Sequence, residues 1–147
     1  MPPLRARSGG FTLIEMLCVL ALAALLVAIA YPGYRHVVLK LRRSDGLAWL
    51  LHVQLAQERH RANHASYATL AELGLPTVSP QGHYTLAVAA AGPSGYQLLA
   101  SAQGPQASDT PCRYLKLTVA GGDTTHSSGA DAQTGNPGGE NRRCWGQ

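Results

Sequence analysis

Twenty residues from Phe11 to Ala30 carry a single charge, the carboxylate of Glu15. A helix of that length is about 30 Å long, the hydrocarbon thickness of a bilayer. The run therefore predicts a membrane-spanning helix. Glu15 is the anomaly within it. A carboxylate in lipid costs about 2.5–3.5 kcal/mol on insertion scales, so it is expected to have a use. One use is local, because an acid in the first turn complements the helix dipole. That alone leaves unexplained why the only charge in the run is kept.

The residues before the run say how it is processed. A secretory signal carries its small-residue cleavage site after the apolar stretch; here Ser8-Gly9-Gly10 come ahead of it. Cutting after Gly10 would leave the apolar segment on the mature chain, beginning at Phe11. The segment reads as an anchor that is kept. Arg5 and Arg7 precede it and Arg35 follows, which mildly favours a cytoplasmic N-terminus by the positive-inside rule.

Pro32-Gly33 closes the run and is expected to kink the helix. Helical periodicity resumes beyond it. Val37, Leu41, Ser44, Ala48, Leu51, Leu55 and Ala62 recur on one face, widened by Leu47 and Leu50, while Arg35, Arg42, Arg43, Gln54, Arg59 and Arg61 fall largely elsewhere. The expectation is one long helix over 12–64, with the face just named turned to the core. The organisation that follows is a leader (1–10), an apolar helical half (11–31), an amphipathic helical half (32–64) and a head (65–147).

The head changes period. "HYTLAVAA" (83–90), "GYQLLASAQ" (95–103) and "CRYLKLTVA" (112–120) read as strands, with Leu115, Leu117 and Val119 on a buried face. Short connections favour an antiparallel meander of three strands, with a fourth near Arg143-Cys144-Trp145. Residues 121–140 hold no large apolar side chain and read as a loop. The fold class is α+β, with the sheet packed on the helix. Cys18 lies in the apolar run and reads as a small hydrophobe. Cys112 and Cys144, in a polar exported segment, point to a disulfide and an oxidising compartment. Closing the 33-residue loop is worth roughly 3.5–4 kcal/mol in the chain-entropy model.

"GGFTLIEML", with the basic leader before it and Tyr31-Pro32-Gly33-Tyr34 after it, resembles the type IV pilin family. Further along, "SPQGHYTLAV" and the terminal "CW" resemble its minor-pilin branch. The resemblance implies the pilin fold, with a long kinked N-terminal helix on a sheet of three to four strands. It implies a prepilin peptidase that cuts between Gly10 and Phe11 and methylates the Phe11 amine. Glu15 would pair with that amine on a neighbouring subunit, offsetting the cost of both charges in lipid. Pro32 and Gly33 would mark the bend. Cys112 and Cys144 match the cysteines closing the family's C-terminal region; Cys18 has no family role. The partners implied are other pilin subunits, the peptidase, inner-membrane assembly machinery and, before assembly, membrane lipid. The subunit would sit in the inner membrane with a periplasmic head, then in an extracellular pilus used for twitching motility, adhesion and surface attachment. A pseudopilin of a type II secretion system shares the leader and anchor and stands as an alternative.

Twelve Lys and Arg against eight Asp and Glu, or ten against eight without Arg5 and Arg7, is too small an excess for charge alone to argue nucleic-acid binding. Placement argues more. Arg113, Lys116, Arg142 and Arg143 surround Cys112 and Cys144 and, if these are bridged, could form one positive patch for DNA phosphates, although four charges make only a small patch and a solvated basic face is the plainer reading. Some minor pilins are DNA-uptake receptors, so natural transformation is the second alternative. His60 and His64 stand one turn apart, a spacing that can hold a metal, but without a third ligand they read as solvated polar residues. Asp123, Asp131 and Glu140 lack EF-hand spacing. No catalytic set or phosphate-binding loop is apparent, so neither an enzyme nor a cofactor is expected.

Overall fold

The computed structural model describes residues 10–147; the expectations for Arg5, Arg7 and Gly9 lie outside them. Gly10, Phe11 and Thr12 carry no regular structure and are exposed. Thr12 then opens the helix, its Oγ1 accepting the backbone N–H of Glu15 at 3.3 Å, as a Thr at an N-cap does. The helix α1 runs from Leu13 to Arg61 and its helical backbone continues through Pro32 and Gly33. Any effect of that pair therefore stops short of ending the helix. α1 is the one helix, among the described residues, long and apolar enough to cross a membrane; its best 18-residue window has a mean hydropathy of 2.8 and is 0% buried.

The chain divides into two compact units, one up to Val37 and one over Val38–Gln147. The first is the apolar half of α1, whose side chains from Leu13 to Tyr31 are all exposed. The second is the head. It contains four antiparallel strands, β1 (Tyr84–Ala89), β2 (Gly95–Ala102), β3 (Tyr114–Ala120) and β4 (Asp123–Gly129), in the order β1-β2-β3-β4. The first three strands lie where the sequence places them. Leu98 pairs with Leu117, and Leu115 with Ser128, so one face collects Leu86, Leu98, Ala100, Leu115, Leu117 and Val119. That face packs on Trp49, Leu50 and Val53 of α1. Leu50, Leu98, Leu115 and Leu117 are each 0% exposed, and full burial of such a side chain is worth about 1.5–3 kcal/mol.

Three expectations are corrected. First, the helix turns the opposite face to the sheet. Val37, Leu41, Ser44, Ala48, Leu51, Leu55 and Ala62 are exposed, Leu47 is half-buried, and only Leu50 of the set is in the core. The core side carries Gly46, Trp49, Leu50, Val53 and Gln57. The reason is steric and polar at once. A Cβ on Gly46 would lie 2.7 Å from the ring of Tyr84, so glycine lets that buried ring close on the helix. The Gln57 side chain meanwhile bonds both backbone groups of Ala68.

Second, the polar stretch after Ala120 begins with β4. Gly121 and Gly122, at φ +60° and +93°, make a two-residue hairpin of the kind that needs positive φ at both positions. Its strand, "DTTHSSG", pairs through backbone along its length and needs little apolar surface as an edge strand. Third, Arg143-Cys144-Trp145 belongs to a helix, α2 (Gly138–Trp145), which follows extended Pro137 and ends at left-handed Gly146.

Candidate functional site

α2 is held on the core side of the sheet, over β4. Asn141 donates from Nδ2 to the carbonyl of His126 at 2.8 Å and accepts from the Ser128 hydroxyl at 2.8 Å. The Trp145 indole donates to the carbonyl of Ser127 at 3.1 Å, and its ring lies 4.3 Å from that of His126. Burial lowers the His126 pKa. The Cys112–Cys144 disulfide, with Cα atoms 5.4 Å apart, fastens α2 to the 3-10 turn Thr110–Cys112.

This end of the head is assembled around Asp109. The Arg43 guanidinium donates to its carboxylate through Nε (3.0 Å) and Nη2 (2.8 and 3.1 Å), and through Nη1 to the carbonyl of Arg143 (2.9 Å). Gln106, fully buried, donates from Nε2 to Asp109, to the carbonyl of Leu39 and to the Tyr84 hydroxyl, each at 3.2 Å. Burial pushes the Tyr84 phenol up to about 12, the Gln106 bond opposing that shift. Arg113 donates from Nε to the carbonyl of Ala107 at 2.9 Å. The middle of α1, where the head begins, is thus bound with the neighbouring 3-10 turns and α2 into one surface.

These bonds place Arg43, Arg113 and the backbone of Arg143 on that surface, with further basic residues beside them in the chain. Arg142 and Arg143 are exposed on α2; Arg113 is half-buried beside the disulfide; Lys40, exposed, and Arg42, half-buried, stand within a turn of Arg43. Lys116 does not join them. It pairs in register with Leu99 and Ser127 on the other face of the sheet, away from α2. The acids of this end include Asp109, consumed by Arg43, Asp45, buried and accepting from the Ser79 hydroxyl and the backbone N–H groups of Gln81 and His83, and Glu140 in the first turn of α2. Sequence reading missed Lys40, Arg42, Arg43, Gln106 and Asp109, since Arg43 and Asp109 are 66 residues apart and nothing local links them. The opposite end of the head holds Glu58, Glu72 and Asp123 with Arg59 and Arg61. There Thr69 donates to Glu72 from backbone N and hydroxyl at 2.7 and 2.8 Å, bonds that lower the Glu72 pKa.

The remaining candidates are placed as follows. Phe11 is 77% exposed, and a Cβ on Gly10 would meet nothing within 4 Å. The Glu15 carboxylate makes no hydrogen bond or ion pair among the described residues. Cys18 is a free, exposed thiol in the span. His60 and His64 stack at 3.8 Å, with His64 Nδ1 against the carbonyl of His60 at 2.9 Å. No group of three metal-ligating side chains occurs among the described residues, so Asp123, Asp131 and Glu140 do not converge.

Comparison with known families gives two matches. A prokaryotic N-terminal methylation motif matches residues 5–31. A family described as type IV minor pilin ComP, DNA uptake sequence receptor, matches residues 32–116. β4 and α2 lie beyond both. No curated protein matches the chain.

Proposed function

The chain belongs to the ComP family of type IV minor pilins, and on that premise we propose that its head binds DNA for uptake through the basic end built around Asp109. The observation that carries this reading is that the Cys112–Cys144 disulfide and the Arg43 bond to the Arg143 carbonyl bring Arg113, Arg142 and Arg143 to the end of the head where Lys40 and Arg42 flank Arg43 in the sequence, with the Asp109 carboxylate already taken by Arg43. Arginine and lysine on phosphates supply affinity and carry no sequence information themselves. Lys116 would contribute only to DNA that also reaches the outer face of the sheet.

The remainder of the proposal concerns assembly. A prepilin peptidase cuts between exposed Gly10 and Phe11 and methylates Phe11. The subunit waits in the inner membrane with its head in the periplasm, and then enters a pilus. Glu15, unpartnered among the described residues, receives the Phe11 amine of a neighbouring subunit. The exposed stripe Leu41, Ala48, Leu51 and Leu55 gives other pilin subunits an apolar face to pack on. We assign the chain no catalytic role.

The test uses the full chain in detergent micelles and fluorescent duplex DNA. Five phosphate contacts predict that log K falls with log salt at a slope of about −4.5. Replacing Lys40, Arg142 or Arg143 by Gln should each flatten the slope by about 0.9. Salt-insensitive binding, or binding unchanged when all three are replaced, would overturn the proposal. For assembly, Glu15→Ala is expected to insert and be cleaved but to enter filaments poorly; normal incorporation would remove the pairing argument.

A further inference from the structure

The basic end of the head is also the end by which the chain enters it. Val38 begins the unit, and Lys40, Arg42 and Arg43 follow at once; Arg43 is bonded onward to α2, and the Leu39 carbonyl accepts from Gln106 of the 3-10 turn Gly104–Ser108. Lys40 lies ten residues after Ala30, the last residue of the apolar run. Whatever the angle between the two units, ten residues cannot span more than about 35 Å. An anchored chain therefore holds this end permanently near a bilayer surface, and tethering makes the encounter effectively intramolecular.

From this we infer that, before extraction from the membrane, the basic end docks on anionic phospholipid headgroups. Lys40, Arg42, Arg142 and Arg143 supply the contacts. The ligand chemistry is the phosphate monoanion that DNA also presents. Each Lys or Arg held near an anionic surface is worth roughly fivefold in affinity, so even two engaged side chains outcompete dilute DNA when the lipid is tethered and the DNA is not. The anchored subunit is then silent toward DNA and the extracted subunit is open to it. This last consequence rests on the DNA reading above; the docking itself does not.

The test places the full chain in nanodiscs of phosphatidylcholine alone or of phosphatidylcholine with phosphatidylglycerol, and follows amide hydrogen exchange in residues 104–113 and 138–147. At low salt the anionic discs should slow exchange there by fivefold or more while leaving β2 and β3 unchanged. The difference should vanish at 0.5 M salt and in the variant Lys40→Gln/Arg42→Gln/Arg142→Gln/Arg143→Gln. Unchanged β2 and β3 exchange in that variant shows that it is folded. Equal exchange in the two kinds of disc overturns the inference, as does protection that persists in the quadruple variant. In the same discs, duplex DNA should bind about tenfold more weakly where phosphatidylglycerol is present. Lipid-dependent protection with no DNA binding under any condition would uphold the docking and defeat only the DNA reading.

Discussion

Truncating Arg43 to alanine probes how the basic end is built. Arg43 and Asp109 side chains are 13% and 9% exposed, so their bond lies between the surface and the core. Arg43→Ala removes three contacts to the carboxylate and the one to the carbonyl of Arg143. Asp109 keeps only the Gln106 amide, at 3.2 Å, and its charge sits on a short stem between two 3-10 turns. Breaking a buried pair by removing one partner costs 3–5 kcal/mol, and the residual exposure here argues for the lower end, about 3 kcal/mol. Asp109→Ala should cost about half as much, because the long Arg43 side chain can turn its guanidinium to water. Urea unfolding followed by emission of the core residue Trp49, 8% exposed, reads both variants. An Arg43→Ala cost below about 1 kcal/mol would place the pair with ordinary screened surface bridges and refute the reasoning. So would an Asp109→Ala cost that exceeds it.

Three further outcomes are expected. Gly46→Ala should destabilise the head by about 2 kcal/mol in the same unfolding assay. The roughly 1 kcal/mol gained in helix propensity is outweighed by overpacking against a Tyr84 ring 2.7–3.0 Å away. Cys112→Ser/Cys144→Ser should lose roughly 3.5–4 kcal/mol, seen as an earlier urea midpoint, and should expose α2 to proteolysis. Below pH 6.5 the unfolded chain binds a proton at His126 more readily than the folded head does, since burial lowers that group's pKa. Stability should therefore fall as pH drops from above 6.5 toward the folded value, and His126→Gln should flatten that part of the urea-midpoint profile.

How legible this was in the sequence varies with the length scale of the signal. The apolar run, the period-two strands and the pair of head cysteines are local, and all three appear in the structure. The orientation of α1 was not legible, because its second half carries two apolar faces and hydrophobic periodicity cannot say which one a sheet will cover. Gly46 decided it, and a glycine in a helix looks like a weakness until Tyr84 is seen against it. β4 was missed because an edge strand stabilised by backbone pairing has no apolar signature, though Gly121-Gly122 is a hairpin signal in the sequence. Among the candidate basic residues, proximity to the cysteines located Arg113, Arg142 and Arg143 together. It misplaced Lys116, which strand alternation sends to the other face, and it could not reach Lys40 and Arg42, whose neighbours Leu39 and Arg43 are bonded to residues more than sixty positions away.

The Cys112–Cys144 bond has a consequence for where the chain can be active. It ties α2, and with it Arg142 and Arg143, to the turn beside Arg113. A reduced chain loses that tie, and cytosolic thiols stay reduced. On the proposed periplasmic placement of the head, the surface that would grip polyanions is therefore fully fastened only outside the compartment that holds the cell's own chromosome and RNA. Under that proposal oxidation would act as a licence as well as a staple, and the newly made subunit would leave the cytosol before its grip on nucleic acid was complete.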